Sequence, residues 1–230
     1  MKTIGLLGGM SWESTVTYYR LINEGIKNRL GGLHSARICL YSVEFEEIEK
    51  LQHEGNWAKT AEILSQAAHS VEAAGADFLL ICTNTMHKVA PEIESAINIP
   101  LIHIADATAE KILAQGVKKV GLLGTRFTME QDFYRGRLQE KYGIEVLIPD
   151  EPGRDLVHRV IYEELCLGKI DPESRKAFVE ITNGLADDGA QSVILGCTEV
   201  SLLIQQMHTQ VPLFDTTEIH ALRAVEEALQ

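Results

Sequence analysis

The chain repeats itself, and this repetition constrains its fold more than any other feature of the sequence. KTIGLLGGMS at residues 2–11 resembles KKVGLLGTRFT at residues 118–128, with Gly5 and Gly121 offset by 116 positions. GADFLLICTNT at 75–85 resembles GAQSVILGCTE at 189–199, with Thr83 and Cys197 offset by 114. NIPLIHIADAT at 98–108 matches QVPLFDTTEIH at 210–220 through Pro100 and Pro212, an offset of 112. Three blocks in one order at a nearly constant offset indicate two copies of one unit. Apolar strands resemble one another in general, but shared order and shared glycine placement go beyond that.

Each copy reads as α/β. Short apolar runs at 3–7, 38–43, 78–81, 101–104, 117–123, 146–148 and 192–195 are punctuated by Gly or Pro and read as buried parallel strands. Helical segments lie between them at 14–28, 57–74, 129–141, 155–167 and 172–187, with a final one at 217–229. We therefore expect two pseudo-symmetric parallel-sheet α/β domains, 1–104 and 105–210, facing a central cleft. The final helix, 217–230, has no strand left to cover in the second domain and is expected to pack back on the first. Open α/β sheets bind ligands beyond the carboxyl ends of their strands, so two facing units would line the cleft with matched loops.

Composition supports an ordinary globular protein: 230 residues, 45% hydrophobic and 23% charged, enough for a sizeable core. With 21 Lys and Arg against 33 Asp and Glu, the formal charge of −12 offers no attraction to nucleic-acid phosphates or anionic lipid. No segment approaches the roughly 18 apolar residues that span a membrane, so neither nucleic acid nor membrane is expected as a partner. The start, MKTIGLLGGMSWES, suits a buried first strand better than a signal peptide. Cys39, Cys82, Cys166 and Cys197 show no CxxC spacing and are too few for a disulfide scaffold, which points to a reducing cytoplasm.

In both copies a buried strand ends in a polar turn, Cys82-Thr83-Asn84-Thr85-Met86-His87 in the first and Cys197-Thr198-Glu199 in the second. A thiol at such a place sits among free backbone amides that favour thiolate, which makes Cys197 the best candidate for a nucleophile or base; a packing role is the bland alternative. Gly8-Gly9-Met10-Ser11 and Gly124-Thr125-Arg126-Phe127-Thr128 follow the first strand of each copy, where glycines admit a ligand to backbone amides. The hydroxyls of Ser11, Ser14, Thr125 and Thr128 serve either as helix caps or as carboxylate ligands. The glycines read GxxGG, which is not the GxGxxG dinucleotide fingerprint. His87 is either structural or part of the turn's chemistry, and the remaining histidines show no metal-ligand spacing.

GLLGGM, TNTMH, GLLGT and LGCTE together resemble the aspartate/glutamate racemase family, which needs no pyridoxal phosphate, and the resemblance spans essentially the whole chain. It implies no cofactor, a small amino-acid substrate and a homodimer. In that family each half supplies a cysteine, one on each face of the substrate α-carbon, so that one thiolate removes the α-proton and the other thiol returns a proton from the far side. This chain departs from the pattern: Thr83 stands where the first cysteine is expected, and Cys197 keeps the second. A thiol ionises near 8.5, whereas a threonine hydroxyl is a poor base though a competent donor. The resemblance thus implies that Cys197 abstracts the α-proton of an L-amino acid and Thr83 reprotonates. Because enantiomers have equal free energy, kcat/KM must be equal in both directions, so the asymmetry predicts rapid α-exchange of the L-substrate with only occasional inversion. Cys82 is expected to point away from the site, since neighbouring strand residues face opposite sides.

The resemblance also places the substrate near Met10, Gln52, Asn84, Thr85, Thr125 and Thr198. Lys169 matches a position where acidic-substrate racemases carry lysine, which suggests aspartate or glutamate; otherwise it is a solvated surface charge. Rival readings are a decarboxylase or isomerase of the same superfamily, which works with one cysteine, a non-catalytic amino-acid binding protein, and a nicotinamide dehydrogenase lacking its fingerprint.

Overall fold

A computed structural model describes residues 1–230. The chain divides into two compact units, Met1–Ile104 with His220–Gln230, and Ala105–Ile219. In the first, the elements are β1 (Ile4–Gly8), α1 (Trp12–Leu30), β2 (Ile38–Ser42), α2 (Phe45–His53), α3 (Trp57–Ala73), β3 (Phe78–Ile81) and α4 (Ala90–Ala96). Next come α5 (Ile104–Ala114), β4 (Lys119–Gly124), α6 (Arg126–Glu130), α7 (Arg135–Tyr142), β5 (Glu145–Leu147), α8 (Glu151–Glu163), α9 (Pro172–Asp187), β6 (Ser192–Gly196), α10 (Val200–Leu203), β7 (Leu213–Asp215) and α11 (Thr216–Ala228). No helix is long and apolar enough to cross a membrane.

Each unit holds one parallel sheet, ordered β2-β1-β3 in the first and β5-β4-β6-β7 in the second. The repeat is visible in the ladders. β1 and β4 are the central strands, and Leu101 forms a single parallel bridge to Leu79 where β7 pairs fully with β6. Gly5 and Gly121 answer the same need: an added Cβ would lie 2.7 Å from Val71 of α3 at Gly5 and 2.9 Å from Leu185 of α9 at Gly121. The glycine lets a helix lie directly against the middle of each central strand.

In the first unit the sheet is covered on both faces. Leu7, Leu79 and Ile81 pack with Leu64, Ala67 and Val71 of α3, while Ile4, Leu6, Phe78 and Leu80 pack with Tyr18, Ile22 and Ile26 of α1. Ala221, Ala224, Val225 and Ala228 of α11 join the second cluster, and the Lys2 amide donates to the Ala228 carbonyl at 2.9 Å. The closing helices are exchanged: α5 from Ala105 counts in the second unit and α11 from His220 in the first.

Several boundaries differ from the sequence reading. The run 101–104 is not a strand, because Leu101 makes one bridge and Ile104 opens α5. The second unit extends past residue 210, because β7 adds to its sheet. The helix expected over 129–141 breaks into α6 and α7 at an extended Gln131. Met129 and Tyr134, both fully buried, lie five residues apart and so would fall about 140° apart around one continuous helix. The helix expected over 155–167 starts earlier, where Asp150 accepts from the Gly153 amide at 2.9 Å, and ends at Glu163 before a 3-10 turn at Leu165–Leu167. The helices α2, α4, α5 and α10 were not anticipated.

His220 at the start of the returning segment is fully buried. Its Nδ1 accepts from the Tyr18 hydroxyl at 2.8 Å and its Nε2 donates to the Ile102 carbonyl at 2.7 Å. Burial pushes its pKa down to about 4, against 6.5 when solvated. Between those values the unfolded chain binds more protons, so the stability that neutral His220 contributes is complete above about pH 6.5 and is lost as pH falls toward 4. Urea midpoints should therefore drop over that window. Tyr18→Phe, which leaves the buried Nδ1 without its donor, should cost about 1–3 kcal/mol at pH 7; an unchanged midpoint would contradict the bond.

Candidate active site

Both central strands run directly into a turn that starts a helix. In the first unit Gly9 has φ +90°, and a Cβ there would lie 2.3 Å from the Val43 carbonyl oxygen, so only glycine fits. Ser11 caps α1 by accepting from the Ser14 amide at 3.3 Å, and the Thr15 hydroxyl accepts from the Gly9 amide at 2.8 Å while donating to the Ser11 carbonyl at 2.9 Å. Met10 is buried in the same apolar cluster as Met86, and Gln52, also buried, donates from Nε2 to the Met86 sulfur at 3.7 Å.

Beyond β3 the ladder gives out and side chains take over the carbonyls. The Cys82 amide still donates to Leu7, but the Cys82 carbonyl accepts from the Ser14 hydroxyl at 2.8 Å, and the Thr83 carbonyl lies 2.8 Å from His87 Nδ1. Thr83, Asn84 and Thr85 are all buried, and a 3-10 turn at Thr85–Val89 follows. Cys82 packs with Phe78 and Leu80 in the α1-facing core, as strand alternation predicts, and burial pushes its thiol pKa far up. The first unit thus brings Met10, after β1, and Gln52, of α2, to Met86, which closely follows Thr83, Asn84 and Thr85 at the end of β3.

The second unit gathers Thr125, Cys197 and Thr198, all buried. Thr125 caps α6, accepting from the Thr128 amide at 3.3 Å. Gly124 is required there because a Cβ would lie 2.8 Å from the Gly196 carbonyl oxygen. After β6, the Cys197 thiol donates to Glu199 Oε2 at 3.0 Å and the Thr198 hydroxyl to the same oxygen at 2.7 Å. Glu199 is itself buried. Lys169 is exposed in the turn after Gly168, with its amide on the Glu164 carbonyl.

The expected ease of thiolate formation at Cys197 is not what the site provides. Burial raises the thiol pKa well above its usual value, and the Glu199 carboxylate, then Cys166, raise it further. Desolvation and a like charge outweigh any strand-end amides, so the thiol rests protonated as a donor to Glu199. Glu199 is the residue that sequence reasoning passed over as a site group; a carboxylate two positions after a strand-end cysteine was the available signal. Among the residues described, no group of three or more His, Cys, Asp or Glu side chains is arranged to hold a metal ion.

Each of the two parallel sheets ends in a buried turn that carries a hydroxyl or a thiol at the matched position, Thr83 in one unit and Cys197 in the other. The chain belongs to the Asp/Glu/hydantoin racemase family, whose model matches residues 7–224, and it is an isomerase of the racemase type. It is 58% identical to an Asp/Glu racemase candidate from Yersinia pestis, with a TM-score of 0.94 over 100% of both chains. It is 37% identical to an aspartate racemase homologue from Pyrococcus horikoshii OT3, with a TM-score of 0.87, again over 100% of both. Among curated proteins it is 21% identical to a broad specificity amino-acid racemase from Bacillus subtilis (strain 168), over 98% of each chain.

If the Glu199 charge holds the Cys197 proton, Glu199→Gln should move the thiol's titration to lower pH. Peptide-level mass spectrometry of iodoacetamide labelling across a pH series reads that midpoint directly. An unchanged midpoint would leave burial and Cys166 as the causes of the raised pKa.

Proposed function

We propose that this protein is a cofactor-independent racemase of aspartate or glutamate in which Cys197 removes the α-proton of the L-enantiomer and Thr83 returns a proton from the opposite face. The observation that carries the reading is the Cys197 thiol bonded to the buried Glu199 carboxylate at 3.0 Å. Glu199 provides an acceptor for the thiol proton, and the substrate ammonium, brought near that carboxylate, offsets the negative charge that raises the thiol. As the Cα–H bond breaks, its electron pair moves onto the substrate carboxylate, where Asn84, Thr85, Thr125 and Thr198 supply hydrogen bonds. Met10 and Gln52 complete the pocket, and Lys169 is the cation for the side-chain carboxylate. The aspartate and Asp/Glu racemase relatives support an acidic substrate, and the Bacillus relative supports breadth beyond it. Four free cysteines suit action in a reducing cytoplasm.

The asymmetry between Cys197 and Thr83 predicts an imbalance that is measurable. Proton NMR of L-aspartate or L-glutamate in deuterated buffer, alongside chiral chromatography, should show loss of the α-proton signal outrunning inversion. Cys197→Ala should abolish both, Thr83→Ala should spare exchange while lowering inversion by roughly 100-fold, and Thr83→Cys should raise inversion. No exchange with either substrate sinks the proposal. In that case the protonated Cys197 thiol favours the second reading, protonation of an enolate left by decarboxylation of a malonate-type acid.

We further propose that the protein acts as a homodimer through α1. Trp12, Val16 and Tyr19 are exposed on one stripe of that helix. The stripe faces the β2 edge, because Asn23 on the same line accepts from the Ala36 amide at 3.0 Å, and exposed Leu40 of β2 continues it. An antiparallel two-fold pairing centred on Val16 would lay this stripe on the same stripe of a second copy. Val16→Asp should therefore give a monomer by analytical ultracentrifugation, and a wild-type monomer would refute the assignment.

A further inference from the structure

The first-unit turn is held by an imidazole. Backbone amides only donate, so the Ile104 amide, 3.2 Å from His87 Nε2, assigns that nitrogen as acceptor. Nδ1 then carries the proton and donates to the Thr83 carbonyl at 2.8 Å. Both ring nitrogens are committed to main chain, one on the turn that carries Thr83 and one on the segment entering α5. The ring is fully buried, with His103 at 4.5 Å and His220 at 5.9 Å between centroids. His220 in turn holds the Ile102 carbonyl and is fixed by Tyr18, so residues 102–104 are gripped at two points. That gives His87 a fixed anchor from which to hold the Thr83 turn.

The second unit does this differently. Ser201, at the position matching His87, donates to the Thr198 carbonyl at 3.1 Å, and the Cys197 carbonyl accepts from the Val200 amide at 3.1 Å. The Cys197 turn is closed by short local bonds. The Thr83 turn is tied by a long side chain to a separate stretch of backbone.

We propose that His87 is a positioning residue for Thr83, fixing through the Thr83 carbonyl the orientation in which its hydroxyl returns a proton to the substrate. This rests on Thr83 acting as the acid. It matters more for a hydroxyl than for a thiol, because a weak donor such as threonine tolerates little misplacement.

Two variants separate the bonds. Asparagine places an amide nitrogen where His87 Nδ1 stands and keeps the bond to Thr83; glutamine reaches the Nε2 position and keeps the bond to Ile104. His87→Gln should lower inversion by roughly 10- to 100-fold while Cys197-dependent α-exchange stays within about twofold, and His87→Asn should recover most of the inversion. A role in folding alone would move exchange and inversion together. Equal exchange-to-inversion ratios in both variants and the parent overturn the positioning role while leaving the racemase reading intact. A parent that shows no exchange sinks both. Nitrogen-15 NMR of the parent supplies a test that needs no variant: a proton on Nδ1 and none on Nε2 at neutral pH is expected, and the reverse tautomer or an imidazolium refutes the proposal.

Discussion

The strands β3 and β6 are buried along their whole length, and strands so enclosed are apolar almost throughout until their ladders end. Polar side chains are therefore pushed to the carboxyl ends, where Thr83 and Cys197 stand. The same confinement decides how the turns are built. Buried carbonyls released from the ladder need donors, and the sequence supplies Ser14 for Cys82, Thr216 for Leu195 and His87 for Thr83. Of the hydroxyls that looked like caps or ligands, Ser11 and Thr125 cap helices and Ser14 fastens the Cys82 carbonyl.

Burial also sets the resting state of the chemistry. A thiol enclosed beside a carboxylate holds its proton, and a protonated thiol is a weak target for oxidants and alkylating agents. A positive charge brought beside Glu199 would offset the carboxylate charge that helps to raise the thiol. A site of this kind is quiet when empty, in contrast to one built from an exposed low-pKa cysteine.

How much of this was legible in the sequence follows from what each signal measures. The repeat and the apolar runs gave the two parallel sheets, and β3 and α9 fall where periodicity placed them, because continuous burial leaves a strong local trace. The strand expected at 101–104 failed since its apolar residues are those of a chain leaving the sheet, and the break at Gln131 failed since it depends on burying Met129 and Tyr134 together. Cys197 and Thr83 were legible as a thiol and a hydroxyl at matched strand ends, because the repeat itself marks those positions. Glu199 and His87 were not given their roles, because those depend on distances to Cys197, Thr83 and Ile104 that spacing along the chain does not encode.

The exchange of closing helices governs the order in which the protein becomes whole. The α1-side core of the first unit contains Ala221, Ala224, Val225 and Ala228, and Gly25 admits Val225 so closely that a Cβ would lie 2.8 Å from it. When residues 1–104 leave the ribosome, that surface of α1 is still bare, and at roughly 5–20 residues per second it stays so for on the order of ten seconds. A chain cut short by a premature stop after residue 219 would present this apolar surface permanently, which makes it a ready substrate for chaperones and proteases.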